Sequence, residues 1–228
     1  MNILAIDTST EACSAALLRG DGQVFSEFEV TPRQHTRYLP LMVDAVLATA
    51  GIPKQSLTHC AFANGPGAFT GIRIAAASIQ GISMGLDIPV VQISTLATLA
   101  QTCFDRYPVD NTLVALDARM EEVYWANYSR DEKGLATLVG EEKLSKFDEV
   151  VFNPVPVSGA GHGWSVDPGN WLARLDPVVD IKVDADLLPD ARSLLKLAEQ
   201  AVNRGQLVIA EYASINYLRN QVAEKSRR

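Results

Sequence analysis

Histidine and cysteine are scarce, with three of each among 228 residues, and that scarcity excludes much chemistry. His35, His59 and His162 are scattered and form no His-x-x-x-His, so a helix-borne metal pair is excluded. Cys13, Cys60 and Cys103 are far apart, odd in number and never form Cys-x-x-Cys. They read as small buried hydrophobes in a reducing compartment, not as a disulfide framework or a zinc site. No apolar run approaches the ~18 residues that a membrane helix needs. The opening Met1-Asn2-Ile3-Leu4-Ala5-Ile6-Asp7 lacks a basic region, and its carboxylate comes too early for a signal peptide. A soluble cytoplasmic protein without membrane contact is the expectation. Positive charge is also short: 20 Lys and Arg against 27 Asp and Glu give a net charge of −7. That balance argues against gripping a phosphate backbone unaided, because such affinity rests on Lys and Arg neutralisation. No Gly-x-Ser-x-Gly elbow and no cysteine in an activating setting appear, so nothing assembles a nucleophile, a base and an orienter.

What is present is a globular pattern. Ile3 to Asp7, Cys13 to Leu18 and Gln23 to Val30 read as three strands, the last two joined through Asp21-Gly22 as an antiparallel hairpin. From His35 to Ala50, Leu39, Met42, Val43, Val46 and Leu47 fall on one helical stripe, and Gly51 and Pro53 close it. A strand at Cys60 to Ala63, a helix at Thr70 to Gly85, a strand at Pro89 to Ile93 and a helix at Ser94 to Phe104 follow. Three meandering strands and then alternating helices and strands imply a mixed sheet covered by helices.

The second half begins the pattern again. Leu113-Val114-Ala115-Leu116-Asp117 matches Ile3-Leu4-Ala5-Ile6-Asp7 at a shift of 110 residues, and Glu11 and Ala16 meet Glu121 and Ala126. The expected division is residues 1–108 as a first lobe and 109–228 as a degenerate second one. Further elements are a third strand at Ala136 to Leu144, a fourth at Val155 to Gly159, a short helix near Trp171 and a helix at Ala191 to Asn203. The tail Lys225 to Arg228 is expected to fray. A cleft between two such halves, each presenting an Asp at a strand end, is the default site for a small ligand.

Three motifs admit both a functional and a plain reading. Asn64-Gly65-Pro66-Gly67-Ala68-Phe69-Thr70-Gly71-Ile72-Arg73 is either a structural turn or a loop that offers backbone amides to an anion. It is neither a P-loop nor the dinucleotide fingerprint, because it lacks the Lys-Ser/Thr pair and the right glycine spacing. Asp7-Thr8-Ser9-Thr10 is either a polar turn or a phosphate-binding end of a strand. The Thr70 to Gly85 helix is small or apolar nearly all round. It is either a buried central helix or half of a protein–protein interface with the Leu39–Leu47 helix; Leu39, Met42, Val43, Val46, Ile72, Ala76 and Ile79 are then the interface candidates.

Gly65 to Arg73 closely resembles the bacterial TsaB (YeaZ) family. The resemblance extends to Ile3–Ser14, Pro32–His35, Asp117–Met120, Glu122–Ala126 and Tyr217–Asn220, in that order, while 135–205 carry little of it. It implies an actin-like fold of the acetate/sugar kinase–Hsp70–actin superfamily, with two duplicated lobes. It also implies a part in making threonylcarbamoyladenosine, at the adenosine 3′ of the anticodon, on tRNAs that read codons beginning with A. In that scheme the related subunit TsaD transfers the threonylcarbamoyl group, TsaB supports it, and the ATPase TsaE joins the complex. The catalytic relative carries a metal-binding His-x-x-x-His where this chain has Thr95 and Leu99, so the resemblance implies a non-catalytic paralogue. Implied partners are TsaD, TsaE and a second copy of the chain, with tRNA met mainly through TsaD.

Two departures bear on ligands. Ala68 stands where the family commonly has Ser, and Glu121 where it often has Gly; both count against nucleotide binding. The competing expectation is an ATPase that holds ATP or ADP in the cleft through Asp7, Ser9, Thr10 and Asp117. A metallopeptidase, suggested by the family's historical grouping, lacks its histidine pair.

Overall fold

The computed structural model describes residues 1–152, 158–167 and 182–219. Its first sheet holds β1 (Ile3–Asp7), β2 (Ala12–Leu18), β3 (Val24–Val30), β4 (His59–Ala63) and β5 (Val90–Ile93) in the order β3-β2-β1-β4-β5. The Asp21-Gly22 hairpin forms as expected, with Gly22 at φ 86°, and pairs β2 with β3 from Leu18–Val24 to Ala12–Val30. β1 runs antiparallel to β2 but parallel to β4, and β4 runs parallel to β5. Parallel neighbours require crossovers, which α1 (His35–Ala50) and α2 (Phe69–Leu86) provide. Every residue of β1 and β2 is buried, since helices cover both faces of the sheet.

The second sheet holds β6 (Asn111–Arg119), β7 (Glu122–Arg130), β8 (Ala136–Lys146), β9 (Ser158–Ala160) and β10 (Val183–Asp184). Its order, β8-β7-β6-β9-β10, repeats that of the first sheet. The pairing senses repeat too: β6, β7 and β8 form an antiparallel meander, while β9 is parallel to β6 and β10 to β9. The fold is therefore the duplicated two-lobe α/β architecture of the actin-like class. The expected strand at 155–159 is described only as Ser158–Ala160; the expected helix near Trp171 and the tail 225–228 lie outside the described residues.

α1 and α2 cover one face of the first sheet, where Leu39, Val43, Val46 and Ile79 meet Leu4, Ile6, Leu17 and Phe62. Each such buried side chain contributes roughly 1.5–3 kcal/mol. This packing corrects the interface expectation. Leu39, Met42, Val43, Val46, Ile72, Ala76 and Ile79 are at most 8% exposed. The apolar stripe of a sheet-packed helix is the stripe that covers the sheet, so a partner meets the opposite side.

The other two α-helices among the described residues change lobes. α3 (Thr95–Arg106), capped by Ser94 through the amides of Leu96 and Ala97, sets Leu96, Leu99 and Phe104 on Val114, Leu116 and Tyr128 of the second sheet. α4 (Ala191–Asn203) sets Leu194, Leu195 and Ala198 on Ile3, Ala5, Ala61 and Val91 of the first. The two touch through Asp105, which accepts hydrogen bonds from Ser193 at 2.8 Å and Lys196 at 2.6 Å. The expected boundary at 108/109 falls between α3 and β6. From α4 to Asn216 the chain nevertheless lies on the first lobe, where Val208 and Val90 exchange backbone hydrogen bonds of 2.8 and 2.9 Å.

Candidate functional site

A cavity of about 370 Å³ opens between the lobes. Ser9, Thr10, Glu11 and the Gly67–Phe69 turn line it from the first lobe, and Asp117, Arg119, Tyr124 and His162 from the second. Its location follows from the duplication: β1 ends at Asp7, β6 carries Asp117 at the matching place, and each aspartate accepts the amide two residues on. Asp7 Oδ1 accepts from the Ser9 amide at 2.7 Å and the Ser9 hydroxyl at 2.6 Å. Asp117 Oδ1 accepts from the Arg119 amide at 2.7 Å.

The two carboxylates then part company. Asp7 is 1% exposed and does not line the cavity, and its Oδ2 has no hydrogen-bond partner. Burial pushes its pKa up from 3.8 to about 7 against the pull of the two Ser9 hydrogen bonds. Asp117 does reach the cavity, but its Oδ2 is paired with the Arg119 guanidinium at 2.8 Å. Of the four sequence-derived ligand candidates, Ser9, Thr10 and Asp117 therefore share the cavity, while Asp7 lies sealed in the core.

The glycine-rich loop is explained by close packing. Added Cβ atoms would stand 2.5 Å from Ser9 O at Gly67 and 1.9 Å from Thr8 O at Gly71. The Ala68 amide donates to Ser9 O at 2.7 Å, and the Thr8 hydroxyl donates to Gly71 O at 2.7 Å. The loop and the Asp7 turn are thus interlocked backbone to backbone, which accounts for the glycines as structural.

These donors do not fit a magnesium–nucleotide pair. Asp7 Oδ2 is sealed in the core, Asp117 is neutralised by Arg119, Glu11 is the one carboxylate left among the lining residues, and Ala68 supplies no hydroxyl. Among the described residues no group of three His, Cys, Asp or Glu is placed to hold a metal ion. Thr95 and Leu99 are fully buried, Leu99 within the core between α3 and the second sheet.

Sequence reasoning passed over His162. Its Nδ1 accepts the Asp117 amide at 3.0 Å, which leaves the proton of the neutral ring on Nε2, 3.9 Å from Glu11 of the opposite lobe. Burial lowers its pKa, against the opposing pull of Glu11 and Asp117. No local signal marks it, since His162 lies in the Pro- and Gly-rich stretch where the repeat fades.

The hairpin from β6 to β7 is strained. Arg119, Met120 and Glu121 take φ of 65°, 59° and 62° in succession. A side chain in that left-handed region costs roughly 1–2 kcal/mol per residue, which glycine avoids. Glu121→Gly is accordingly expected to stabilise the chain by about 1 kcal/mol, read as a raised urea midpoint at unchanged slope. A lower midpoint would refute the strain assignment.

Comparison with known proteins places this geometry. Residues 28–167 match a family model described as "TsaD: tRNA N6-adenosine threonylcarbamoyltransferase". The chain is 40% identical to the tRNA threonylcarbamoyladenosine biosynthesis protein TsaB of Escherichia coli (strain K12), over 99% of its own length and 97% of that protein's. It is 34% identical to the protein of the same name from Haemophilus influenzae, over 99% and 96%. YeaZ from Pseudomonas aeruginosa superposes with a TM-score of 0.87 at 41% identity, covering 95% of this chain and 99% of that one. A second solved structure, an uncharacterized protein with similarity to peptidase YEAZ, also from Pseudomonas aeruginosa, gives 0.88 at 40%, covering 96% and 99%.

Proposed function

Because the chain belongs to the TsaB (YeaZ) family, and so to tRNA threonylcarbamoyladenosine biosynthesis, we propose that it serves there as a non-catalytic scaffold. In this reading it supports TsaD, which transfers the threonylcarbamoyl group to the adenosine 3′ of the anticodon in tRNAs reading codons that begin with A. TsaE joins the larger assembly. tRNA is held through TsaD, in keeping with this chain's net charge of −7. No nucleotide is needed in its own cavity, whose donors suit one poorly.

One observation carries the scaffold reading. On the outer side of α2, Ala77, Gly81 and Gly85 are exposed one turn apart, and Met84 beside them is 66% exposed. Leu41 on neighbouring α1 is 61% exposed. A Cβ added at Gly81 or Gly85 would meet no atom within 4 Å. Glycine inside a helix costs about 1 kcal/mol relative to alanine, and nothing in the described fold requires it at either position. A second helix lying close against α2 does require it. TsaD and a second copy of this chain would both use that face, so homodimer and heterodimer exclude one another.

Gly81→Leu separates docking from folding, because the new side chain enters open space. The variant is expected to unfold at or above the parent's midpoint yet fail to co-elute with TsaD. In a reaction of tRNA, threonylcarbamoyl-adenylate and TsaD, it should lose at least about tenfold in modification rate, the effect of an interface change of ~1.4 kcal/mol or more. Co-elution and modification equal to the parent's would sink the scaffold assignment.

A further inference from the structure

The motif Tyr217-Leu218-Arg219 plays no part in the reading above. After a short turn at Ala210–Tyr212, the chain crosses the mouth of the interlobe cavity, and residues 216–219 form one of its walls. On the first lobe it is tied at several points, among them a hydrogen bond from Gln92 Nε2 to Ser214 O. Gln80 Nε2 donates to Ala213 O at 3.0 Å, and the Asn216 amide donates to Asn64 O at 2.8 Å. The Arg73 guanidinium lies 5.3 Å from the Tyr217 ring centre and 3.2 Å from that of Phe69. Gly65 leaves room for the crossing, since a Cβ there would stand 2.6 Å from Asn216 O.

Three residues farther on, the segment grips the other lobe. Arg219 Nη2 donates to Glu122 Oε2 at 2.5 Å and to Ala118 O at 3.1 Å, and Nη1 stands 3.2 Å from Met120 Sδ. The two charged side chains are only 21% and 31% exposed, so their hydrogen-bonded pair is worth more than an open surface pair. Among the described residues the lobes meet at the α3–α4 contact behind the cavity and again through this segment across its mouth. Between Glu11 and His162 the gap of 3.9 Å is too long for a hydrogen bond and adds only a weak tie.

From this geometry we infer that residues 216–219 are a clasp that sets the separation of the lobes, with Arg219 as its bolt, and that releasing Arg219 opens the cavity. The inference does not depend on the docking reading, because every contact in it lies within one chain.

The test uses the full chain. Cys13, Cys60 and Cys103 are all buried, so cysteines introduced at exposed Thr70 and Glu141, one on each lobe, accept spin labels selectively. In Arg219→Ala the label separation is expected to lengthen and its distribution to broaden. Exchange of the Asn216 amide should quicken at least about tenfold, while the amides of Val90 and Val208, paired behind the clasp, keep the parent's protection. The double swap Arg219→Glu with Glu122→Arg should return both readings toward the parent. An unchanged separation with unchanged Asn216 exchange overturns the clasp. Equal loss of protection at Asn216, Val90 and Val208 overturns it as well, since Arg219 is then a general stabiliser.

Discussion

Gly71→Ala is expected to abolish the native fold at temperatures where the parent is stable. The new Cβ would stand 1.9 Å from Thr8 O, a distance at which one backbone must move. Neither has freedom to do so. Gly71 lies in the first turn of α2, and Thr8 sits in the turn between two fully buried strands, bonded to Gly71 O through its own hydroxyl at 2.7 Å. Overpacking of this kind, backbone on backbone, belongs among the rare changes that cost more than ~4–5 kcal/mol. Against a typical total of about 5–15 kcal/mol, that is most of the stability. Gly81→Ala, ten residues along the same helix and in open space, is the control and should raise the midpoint. A cooperative transition for Gly71→Ala within a few degrees of the parent's would show that the loop and the Asp7 turn are not interlocked.

The second large effect is electrostatic. Asp7→Asn is expected to stabilise the chain at pH 8 and to remove much of the pH dependence between about 4 and 7. Its folded pKa, about 7, lies above the unfolded value of 3.8. Between those values the folded state binds a proton that the unfolded state has lost, so stability falls as pH rises through the window and stays low above it. At ~1.4 kcal/mol per tenfold change in proton affinity, the charge withholds about 4 kcal/mol above pH 7. Asparagine keeps an oxygen for the two Ser9 hydrogen bonds, while its amide nitrogen takes the unpartnered Oδ2 position at a cost of about 1–3 kcal/mol. Burial raises the Asp190 carboxyl as well, but Asp190 is present in both proteins and largely cancels in their difference. Chemical denaturation at pH 4 and pH 8 checks the expectation: a parent–variant difference independent of pH would contradict the sealed carboxylate.

Much of the fold is legible in the sequence because its strongest signals are local. The Asp-Gly hairpin and the Leu39–Leu47 stripe each depend on residues a few positions apart. The shift of 110 residues exposes the duplication, since β1 and β6 share the same apolar run followed by an aspartate. Legibility ends where partners are distant. A stripe marks the buried face of a helix without naming the sheet it covers, so the change of lobes by α3 and α4 leaves no trace. For the same reason a stripe does not tell a docking face from a sheet-covering one, and the exposed Gly81 and Gly85 of α2 lie outside it. β9 and β10 have three and two residues, too few for a period to show. Asp7 and Asp117 look alike in sequence; only the covering layers distinguish a sealed carboxylate from one facing the cavity. Arg219 belongs to a recognisable motif, yet its partner Glu122 lies 97 positions away.

The change of lobes by α4 bears on how the chain is made. When β5 leaves the ribosome, the first sheet is complete and α1 and α2 can cover one of its faces. The other face, with Ile3, Ala5, Ala61 and Val91, is covered by α4, which ends only at Asn203. At roughly 5–20 residues per second of synthesis, that apolar surface stays open for on the order of ten seconds while the second sheet is still being translated. During this interval the nascent chain presents a surface suited to chaperones and prone to aggregation.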